Sequence, residues 1–387
     1  MPPRKSAEEG GLTPLRIGLM LPESGEFTEA ADRIERGWRI ASALSNNIVA
    51  QRPIEIVRAD TGNLPALALE NAIHIASDRP IDVYAGIMSA RVAQAMALFA
   101  TNTDTPVVIA GAIGKNVMSG PCNPRVVRTS FNVRPYQETV ARYLVKKHDT
   151  VVTLVPDVPG GHNLIQRFTD TYKAAGGRIV EQLWAPNGRK YDWSSWLTRS
   201  STGGPKMIYA IFEGKNAERL VYRYSRTGLK RQIALVGPEW MFGPRTLVRR
   251  GKHASGLRFL TSYLPDRDTT ANRLFVGAYR KVYGEDPDMY AYLGYENALA
   301  VLLTVSDRGG DTSDAASFIA SMKALDYTAL MPRGPFSFNK SNSAWLSTLN
   351  WVEVHHRDGE TWLKKLDMIP VDPDNSSCRV EQARASH

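Results

Sequence analysis

Short apolar runs alternate with amphipathic stretches from Leu15 onward, and this alternation leaves few folds open to the chain. The first apolar runs are residues 15–21, 54–57, 82–87 and 106–110. Helical patterns lie between them at residues 29–44, 64–76 and 91–100. Strands that alternate with helices form βαβ units, whose parallel sheet is covered by helices on both faces. The first series therefore predicts an α/β lobe.

A second series of the same kind begins near Thr150. Its apolar runs are residues 151–155, 178–181, 207–212 and 233–237. A helical pattern at residues 163–174 is followed by Gly176 and Gly177, a typical helix C-terminal signal. Because each series is long enough for its own sheet, the sequence predicts two Rossmann-like α/β lobes with parallel sheets.

The pattern changes after Gly256. Residues 257–261 and 335–339 are predicted to be extended. The elements predicted around them are three helices and an antiparallel hairpin: helices at residues 270–282, 292–305 and 315–324, and hairpin strands at residues 349–354 and 361–369. This last part of the chain therefore does not continue either series.

Composition excludes several classes of protein. No stretch approaches about 20 consecutive apolar residues, so we expect a chain that is not membrane-embedded. The net charge is +9, but basic residues are interleaved with acidic ones, which does not indicate a nucleic-acid partner. The 2 cysteines, Cys122 and Cys378, are too few for a disulfide scaffold or a cysteine-rich metal site.

Sequence motifs for catalysis are missing as well. The first strand is not followed by Gly-x-Gly-x-x-Gly, and Gly114-Lys115 lacks the rest of a P-loop. Neither a Gly-x-Ser-x-Gly elbow nor a His-Glu-x-x-His motif occurs. The adjacent His355 and His356 would point to opposite faces of a strand, unlike the ligands of a shared metal. We therefore expect no enzyme, no cofactor and no metal site.

Four short segments carry a resemblance to a known family. They are residues 17–25 (IGLMLPESG), 127–132 (VRTSFN), 237–239 (GPE) and 292–298 (YLGYENA). In this order they resemble the type I periplasmic binding proteins. The branch is the one that binds leucine, isoleucine, valine, amides and aromatic acids for ABC importers. The resemblance extends over residues 15–369.

The resemblance implies two lobes joined by a three-segment hinge. The crossovers would lie near residues 125–132, 256–263 and 334–339. The implied division begins with a disordered tail at residues 1–13. Lobe 1 comprises residues 14–128 and 262–335, and lobe 2 comprises residues 129–261 and 336–370. Residues 371–387 form a C-terminal tail. A ligand would bind between the lobes, at the carboxyl ends of both sets of strands.

The resemblance also implies ligand-binding residues. Glu239 matches an acidic residue that faces the ligand ammonium in relatives that bind amino acids; otherwise it is a surface or hinge carboxylate. Ser89 precedes a predicted helix, whose free N–H groups suit a carboxylate, although a plain N-cap serine would look the same. Arg91 either points outward, which we favour, or clamps a second acid group.

Other cleft positions depart from the family pattern. Small residues stand where many relatives supply hydroxyl groups: Ala110, Gly111 and Ala112. Two further pairs, Pro159-Gly160 and Glu213-Gly214, stand at positions where relatives often have a tyrosine. Aromatic side chains that would form apolar walls, or else pack in the core, are Phe27, Trp240, Tyr290 and Phe212. We expect an amino acid as ligand first, then a small aromatic or aliphatic carboxylate, then an amide.

The resemblance implies a solute receptor that passes its ligand to an ABC permease. The alternative is a cytoplasmic ligand-sensing regulator of the amide-sensor type. Residues 1–13 are polar and show no secretory leader. We nevertheless expect a periplasmic location, because Cys122 and Cys378 both lie in turn-rich or polar segments and are predicted to form a disulfide, which persists in oxidising compartments.

Overall fold

The computed structural model describes residues 13–25, 27–112, 123–186, 191–340 and 342–373. Cys122 and Cys378 lie outside these residues, and so does the predicted disulfide. None of the described helices is long and apolar enough to cross a membrane.

The described strands form three sheets. In chain order they are β1 Leu15–Leu21, β2 Ile48–Val49, β3 Arg52–Asp60, β4 Val83–Gly86, β5 Val107–Ile109, β6 Val126–Phe131, β7 Thr150–Pro156, β8 Arg178–Ala185, β9 Met207–Ala210, β10 Ala234–Val236, β11 Arg258–Thr261, β12 Ser343–Ala344, β13 Thr348–Arg357 and β14 Glu360–Pro370. The described α-helices are α1 Thr28–Leu44, α2 Pro65–Asp78, α3 Ala90–Phe99, α4 Val133–Leu144, α5 Pro159–Ala174, α6 Trp193–Ser200, α7 Gly214–Arg226, α8 Pro244–Ala254, α9 Thr270–Tyr283, α10 Met289–Asp307 and α11 Ala315–Ala324.

Lobe 1 is built on a seven-stranded sheet with the order β12-β6-β5-β4-β1-β3-β2. All of its strand pairs are parallel except β2 with β3. Every residue of β1 is buried, as a strand covered on both faces requires. The main core of this lobe packs α1, α9 and α10 on the sheet.

Lobe 2 contains a four-stranded parallel sheet, β10-β9-β7-β8, and a three-stranded antiparallel sheet, β11-β13-β14. Helices α4 and α5 pack together on the four-stranded sheet. The predicted hairpin is confirmed as β13 and β14, with Asp358 and Gly359 at the turn. Both the α/β class and the two parallel series read from the sequence are confirmed.

At two positions, helices α1 and α10 approach each other so closely that a side chain with a Cβ would not fit between them. A Cβ on Gly294 would overlap the carbonyl oxygen of Ile34, and a Cβ on Gly37 would overlap that of Ala291. Glycine is therefore required at both positions. Trp38 of α1 adds a hydrogen bond of 3.0 Å to the side chain of Asn297, which fixes α10 over the sheet.

The third crossover lies later in the chain than the sequence predicts. Residues 336–370 are expected in lobe 2, but Phe336 and Ala344 belong to the core of lobe 1. The reason is β12, which pairs with β6. The buried Arg128 of β6 holds Ser343 through a hydrogen bond of 2.9 Å to its Oγ. The chain therefore enters lobe 2 after Ala344.

Candidate functional site

A cavity of about 460 Å³ lies between the two lobes. Its volume falls in the range of small-molecule sites, roughly 300–1,000 Å³. Ten residues singled out from the sequence line it: Phe27, Ser89, Arg91, Gly111, Ala112, Pro159, Gly160, Glu213, Trp240 and Tyr290. The structure thus brings loops from both lobes together at one cavity.

The lobe 1 wall is the N-terminus of α3. Ser89 is its N-cap, and the Ser89 Oγ accepts a hydrogen bond of 3.3 Å from the N–H of Val92. The next two residues, Ala90 and Arg91, line the cavity, and Arg91 is exposed with no hydrogen bond or ion pair to any described residue. Gly111 completes this wall, and a Cβ there would lie only 3.2 Å from the Met88 Cα.

The lobe 2 wall contains two more helix N-termini. Helix α5 begins at Pro159, and its N-cap, Val158, has no side chain that caps the first turn. Helix α7 follows Glu213, whose side chain does not cap it either. The first N–H groups of a helix have no partner within it, and they carry partial positive charge. The cavity is therefore lined by three helix N-termini that favour an anionic group, with the Glu213 carboxylate as an opposing charge.

Apolar side chains form the remaining walls. They are Phe27, Met88, Val133, Leu164, Trp240, Met289 and Tyr290. The Trp240 ring packs at 5.7 Å from the Tyr136 ring and is 4% exposed. Tyr290 lies in the first turn of α10, where burial raises the pKa of its phenol well above the ordinary value. Tyr290 therefore stays protonated at neutral pH.

Glu239 is placed differently from the sequence expectation. It does not line the cavity and is 3% exposed. Its carboxylate accepts hydrogen bonds of 2.8 Å from the Thr261 Oγ1, the Ser262 N–H and the Ser262 Oγ. Burial raises the pKa of this carboxyl, while those hydrogen bonds act to lower it. Glu239 lies off the cavity because it begins a short 3₁₀ turn, Glu239–Phe242. In this turn Trp240 lines the cavity, while the Glu239 side chain bonds to residues of the second crossover.

Two other predicted site residues also lie off the cavity wall. Ala110 is buried in the core of lobe 1, and Gly214 is the first residue of α7 with a φ of 53°. Neither lines the cavity. Phe212 packs in the core of lobe 2, against Trp193 at 4.9 Å, as its alternative interpretation predicts.

Several lining residues are missed by the sequence interpretation. They are Asn63, Met88, Ala90, Gln94, Val133, Asn163, Leu164 and Met289. Most stand one to four residues from a predicted position, on the same loop or in the first two turns of the same helix. A helix that begins at a cavity presents residues of its first two turns, and that rule finds most of them.

The hinge beside the cavity contains a buried ion pair. Arg333 Nε lies 2.9 Å from the Glu296 Oε2, and both side chains are almost fully buried. Arg333 also donates a hydrogen bond of 3.1 Å to the carbonyl oxygen of Thr129, at the first crossover. Burial raises the pKa of Glu296 to about 7, although Arg333 acts to lower it. Among the described residues, no group of three or more His, Cys, Asp and Glu is placed to hold a metal ion.

This fold and cavity define a class: two-lobed receptors that bind a small molecule at the hinge between their lobes. The sequence matches the model of the periplasmic binding protein family over residues 14–359. The chain therefore belongs to that family, as its sequence motifs suggest. No curated protein matches it in sequence.

Solved structures share the whole architecture. A solute-binding protein of an ABC transporter from R. palustris, in complex with benzoate, is 24% identical, with a TM-score of 0.84 over 94% of this chain and 99% of that one. Another from Rhodopseudomonas palustris BisB5, in complex with 3,4-dihydroxybenzoic acid, is 24% identical, with a TM-score of 0.83 over 92% and 97%. A leucine-binding protein from Thermotoga maritima is 20% identical, with a TM-score of 0.77 over 92% and 99%.

Proposed function

We propose that this protein is the extracytoplasmic solute receptor of an ABC importer and that it delivers an aromatic carboxylate to a membrane permease. The observation that carries the proposal is the convergence of three helix N-termini and Arg91 on one cavity with apolar walls. Helix N-termini stabilise anions through free N–H groups and the helix dipole. The apolar side chains provide contact area for a ring.

The positions of Glu239 and Glu213 distinguish between a simple acid and an amino acid as the ligand. Glu239, the expected partner of a ligand ammonium, is turned toward the hinge, so a simple acid loses nothing there. This favours an aromatic carboxylate, the kind of ligand bound in two of the similar structures. An amino acid is the second candidate, because Glu213 lines the cavity and offers a carboxylate to an ammonium.

Ligand binding would act through closure of the lobes. The cavity is lined from both lobes, so a ligand that touches both walls stabilises the closed form more than the open one. A micromolar dissociation constant corresponds to about −8 kcal/mol. In this mechanism the closed, loaded form is the one that the permease recognises.

Calorimetric titration and thermal unfolding test the proposal. The probes are benzoate, 4-hydroxybenzoate, phenylalanine, leucine and benzamide. We expect the benzoates to bind and to add about 2.7 kcal/mol of stability at 100 times the dissociation constant. Benzamide has the same shape without the charge and should bind at least tenfold more weakly. Tighter binding of an amino acid or of the amide would contradict an aromatic carboxylate as ligand, and the amide result would support the amide-sensor alternative.

Arg91→Ala tests the anionic site directly. Loss of this exposed cation should weaken benzoate binding about three- to tenfold, and more at low salt than at high salt. Arg134→Ala is the matched control, because Arg134 is also exposed but is paired with Glu138 on α4. An equal effect of both variants would show that only the overall charge of the protein matters.

A further inference from the structure

Lobe 2 carries a large excess of positive charge, and lobe 1 does not. The lobe 2 segments, residues 129–261 and 345–370, contain 25 lysines and arginines against 13 aspartates and glutamates. The lobe 1 segments, residues 14–128 and 262–344, contain 19 against 21. The net charge of +9 is therefore concentrated on one of the two lobes. Such an excess creates a field that attracts a partner of opposite charge.

Part of this charge surrounds a second cavity, the basic pocket, of about 480 Å³. Its lining residues precede three parallel strands: residues 145–149 precede β7, Lys206 precedes β9 and residues 230–233 precede β10. The basic pocket therefore lies at the amino ends of these strands, whereas the ligand cavity lies at their carboxyl ends. Its charged lining side chains are five cations and one carboxylate: Lys146, Lys147, Lys206, Lys230 and Arg231, with Asp149.

The cations of the basic pocket keep their charge available. Lys146, Lys206 and Arg231 are exposed, and their side chains form no ion pair or hydrogen bond with any described residue. Lys147 and Lys230 contact an aromatic ring and a backbone carbonyl oxygen, neither of which carries a net charge. All five positive charges are therefore left without an ion-pair partner in the part of the chain that the structure describes.

The equivalent end of lobe 1 pairs its cations instead. Arg52 Nη2 lies 2.8 Å from the Asp82 Oδ2, and Arg125 Nη2 lies 3.3 Å from the Asp104 Oδ1, all four residues being at or next to the amino ends of strands. Cations near helix C-termini favour the helix dipole in both lobes, so that role does not explain the difference. The unpaired cations of lobe 2 are available to an anion from outside the protein.

The charged surface is wider than the basic pocket. Arg178, Arg226 and Lys252 are also exposed. Arg178 begins β8, while Arg226 and Lys252 lie in the last turns of α7 and α8, which run back to the amino ends of the strands. These three residues and the five cations of the pocket form the basic end of lobe 2. A soluble phosphate would fill only the pocket, whereas an anionic lipid surface would meet the whole basic end.

We propose that the basic end of lobe 2 docks the protein on an anionic membrane surface, with a lipid headgroup phosphate in the basic pocket. Lysine binds phosphate as a compact point charge, and arginine binds it in a bidentate manner. Because the pocket and the ligand cavity lie at opposite ends of the lobe 2 strands, docking leaves the ligand cavity away from the lipid. This inference goes beyond the proposed function, since it does not depend on what the cavity binds.

Sedimentation of the full chain with lipid vesicles tests the docking. One set of vesicles contains phosphatidylglycerol mixed with phosphatidylcholine, and the other contains phosphatidylcholine alone. We expect at least about tenfold stronger binding to the anionic vesicles at low salt, because the lysines and arginines meet a negative surface potential. Raising the salt to about 0.5 M should abolish the preference, since exposed charges are then screened. Equal binding to both sets of vesicles would overturn the proposal.

A triple variant, Lys146→Gln, Lys206→Gln and Arg231→Gln, removes three of the unpaired cations of the basic pocket. We expect it to lose at least about tenfold in affinity for the anionic vesicles, because several charges act together at the surface. These side chains contact no described residue through a hydrogen bond or ion pair, so the melting temperature and the far-UV circular dichroism should stay those of the wild type.

The matched control is a lobe 1 variant with the same total charge, Arg79→Gln, Arg273→Gln and Lys281→Gln. All three residues are exposed and lie outside the basic end. This variant should keep its affinity for the anionic vesicles to within about twofold, because charges beyond a Debye length of the lipid contribute little. An equal loss in both variants would show that only the overall charge matters and would overturn a docking site at the basic end.

Glycerol phosphate and a short DNA duplex distinguish a membrane from other sources of phosphate. Millimolar glycerol phosphate should leave the wild-type protein on the anionic vesicles, because a small ligand occupies the pocket without replacing the contacts around it. Displacement by glycerol phosphate, or tighter binding to the duplex than to the vesicles at the same salt, would overturn membrane docking. Weak binding to both competitors, together with the loss in the lobe 2 variant, would support it.

Discussion

The cavity and the hinge lie side by side, yet their polar groups are organised in opposite ways. In the hinge, the Glu239 carboxylate has donors at 2.8 Å, and Glu296 is paired with Arg333. In the cavity, the Arg91 guanidinium and the Tyr290 phenol have no partner among the described residues. Pairing within the protein therefore distinguishes Glu239 and Glu296, which hold the fold, from Arg91 and Tyr290, which are available to a ligand.

This comparison also explains why sequence position alone misleads. Glu239 and Glu213 each follow a strand end of lobe 2, and both are sequence candidates for the ligand site. Only Glu213 lines the cavity, because Glu239 enters a 3₁₀ turn and bonds to Ser262 of the second crossover. Ser262 Oγ in turn lies 2.6 Å from the Tyr292 Oη of α10, so this carboxylate links the two lobes.

The largest effect is expected at the buried ion pair. Arg333→Ala leaves Glu296 without its cation in a site that excludes water, and should lower the free energy of unfolding by about 3–5 kcal/mol. Urea unfolding, followed by circular dichroism, measures the loss. Arg134→Ala, which breaks an exposed i,i+4 pair, should cost only about 0.3–0.5 kcal/mol. Similar losses in both variants would contradict the contrast between a buried hinge and a solvated surface.

The same pair predicts a dependence of stability on pH. The folded-state pKa of Glu296 is about 7, against an ordinary value of 4.5, so the folded protein binds this proton more tightly than the unfolded chain does. The contribution of Glu296 to stability is therefore greatest below pH 4.5 and is lost as the pH rises through 7. The change is on the order of 3 kcal/mol.

Glu296→Gln isolates this contribution, because the variant cannot titrate at position 296. We expect the difference in unfolding free energy between wild type and variant to change from pH 5 to pH 7 and to level off above pH 7, with the wild type losing more stability than the variant. A constant difference over this range would show that Glu296 does not titrate there.

A smaller effect is expected from Glu239→Gln. The amide keeps one acceptor oxygen but turns an N–H₂ group toward Ser262 or Thr261, so we expect a loss of about 1–3 kcal/mol of stability. Because the side chain does not line the cavity, the dissociation constant for benzoate should change less than threefold. A large loss of affinity with unchanged stability would place Glu239 in the ligand site after all.

Much of the fold follows from the alternating pattern, because strands buried on both faces must be continuously apolar. The pattern predicts helices α9 and α11 to within a residue at their ends. It does not predict helix α7, although the buried residues Ala217, Leu220, Val221 and Tyr224 have helical spacing. Strand β12 has only two residues, Ser343 and Ala344, and no local pattern could reveal it, since its place depends on Arg128.

The cavity was predictable in outline for a related reason. Carboxyl ends of parallel strands meet at one edge of a sheet, so the loops after them were expected to form the site. What the sequence could not predict is the direction of each side chain within those loops. Glu239 and Trp240 are adjacent, and only their tertiary contacts decide which of them lines the cavity.

The pairing of β12 with β6 has a consequence for the order in which the chain folds. Arg128 and Ser343 are separated by 215 residues, and most of lobe 2 lies between them. Trp38 and Asn297, which join α1 to α10, are 259 residues apart. Contacts between such distant segments require large loops to close first, and chains rich in them fold slowly. On a ribosome, the lobe that is started first is therefore completed only after most of the other lobe has been made, and β6 remains an edge strand until Ser343 and Ala344 have emerged.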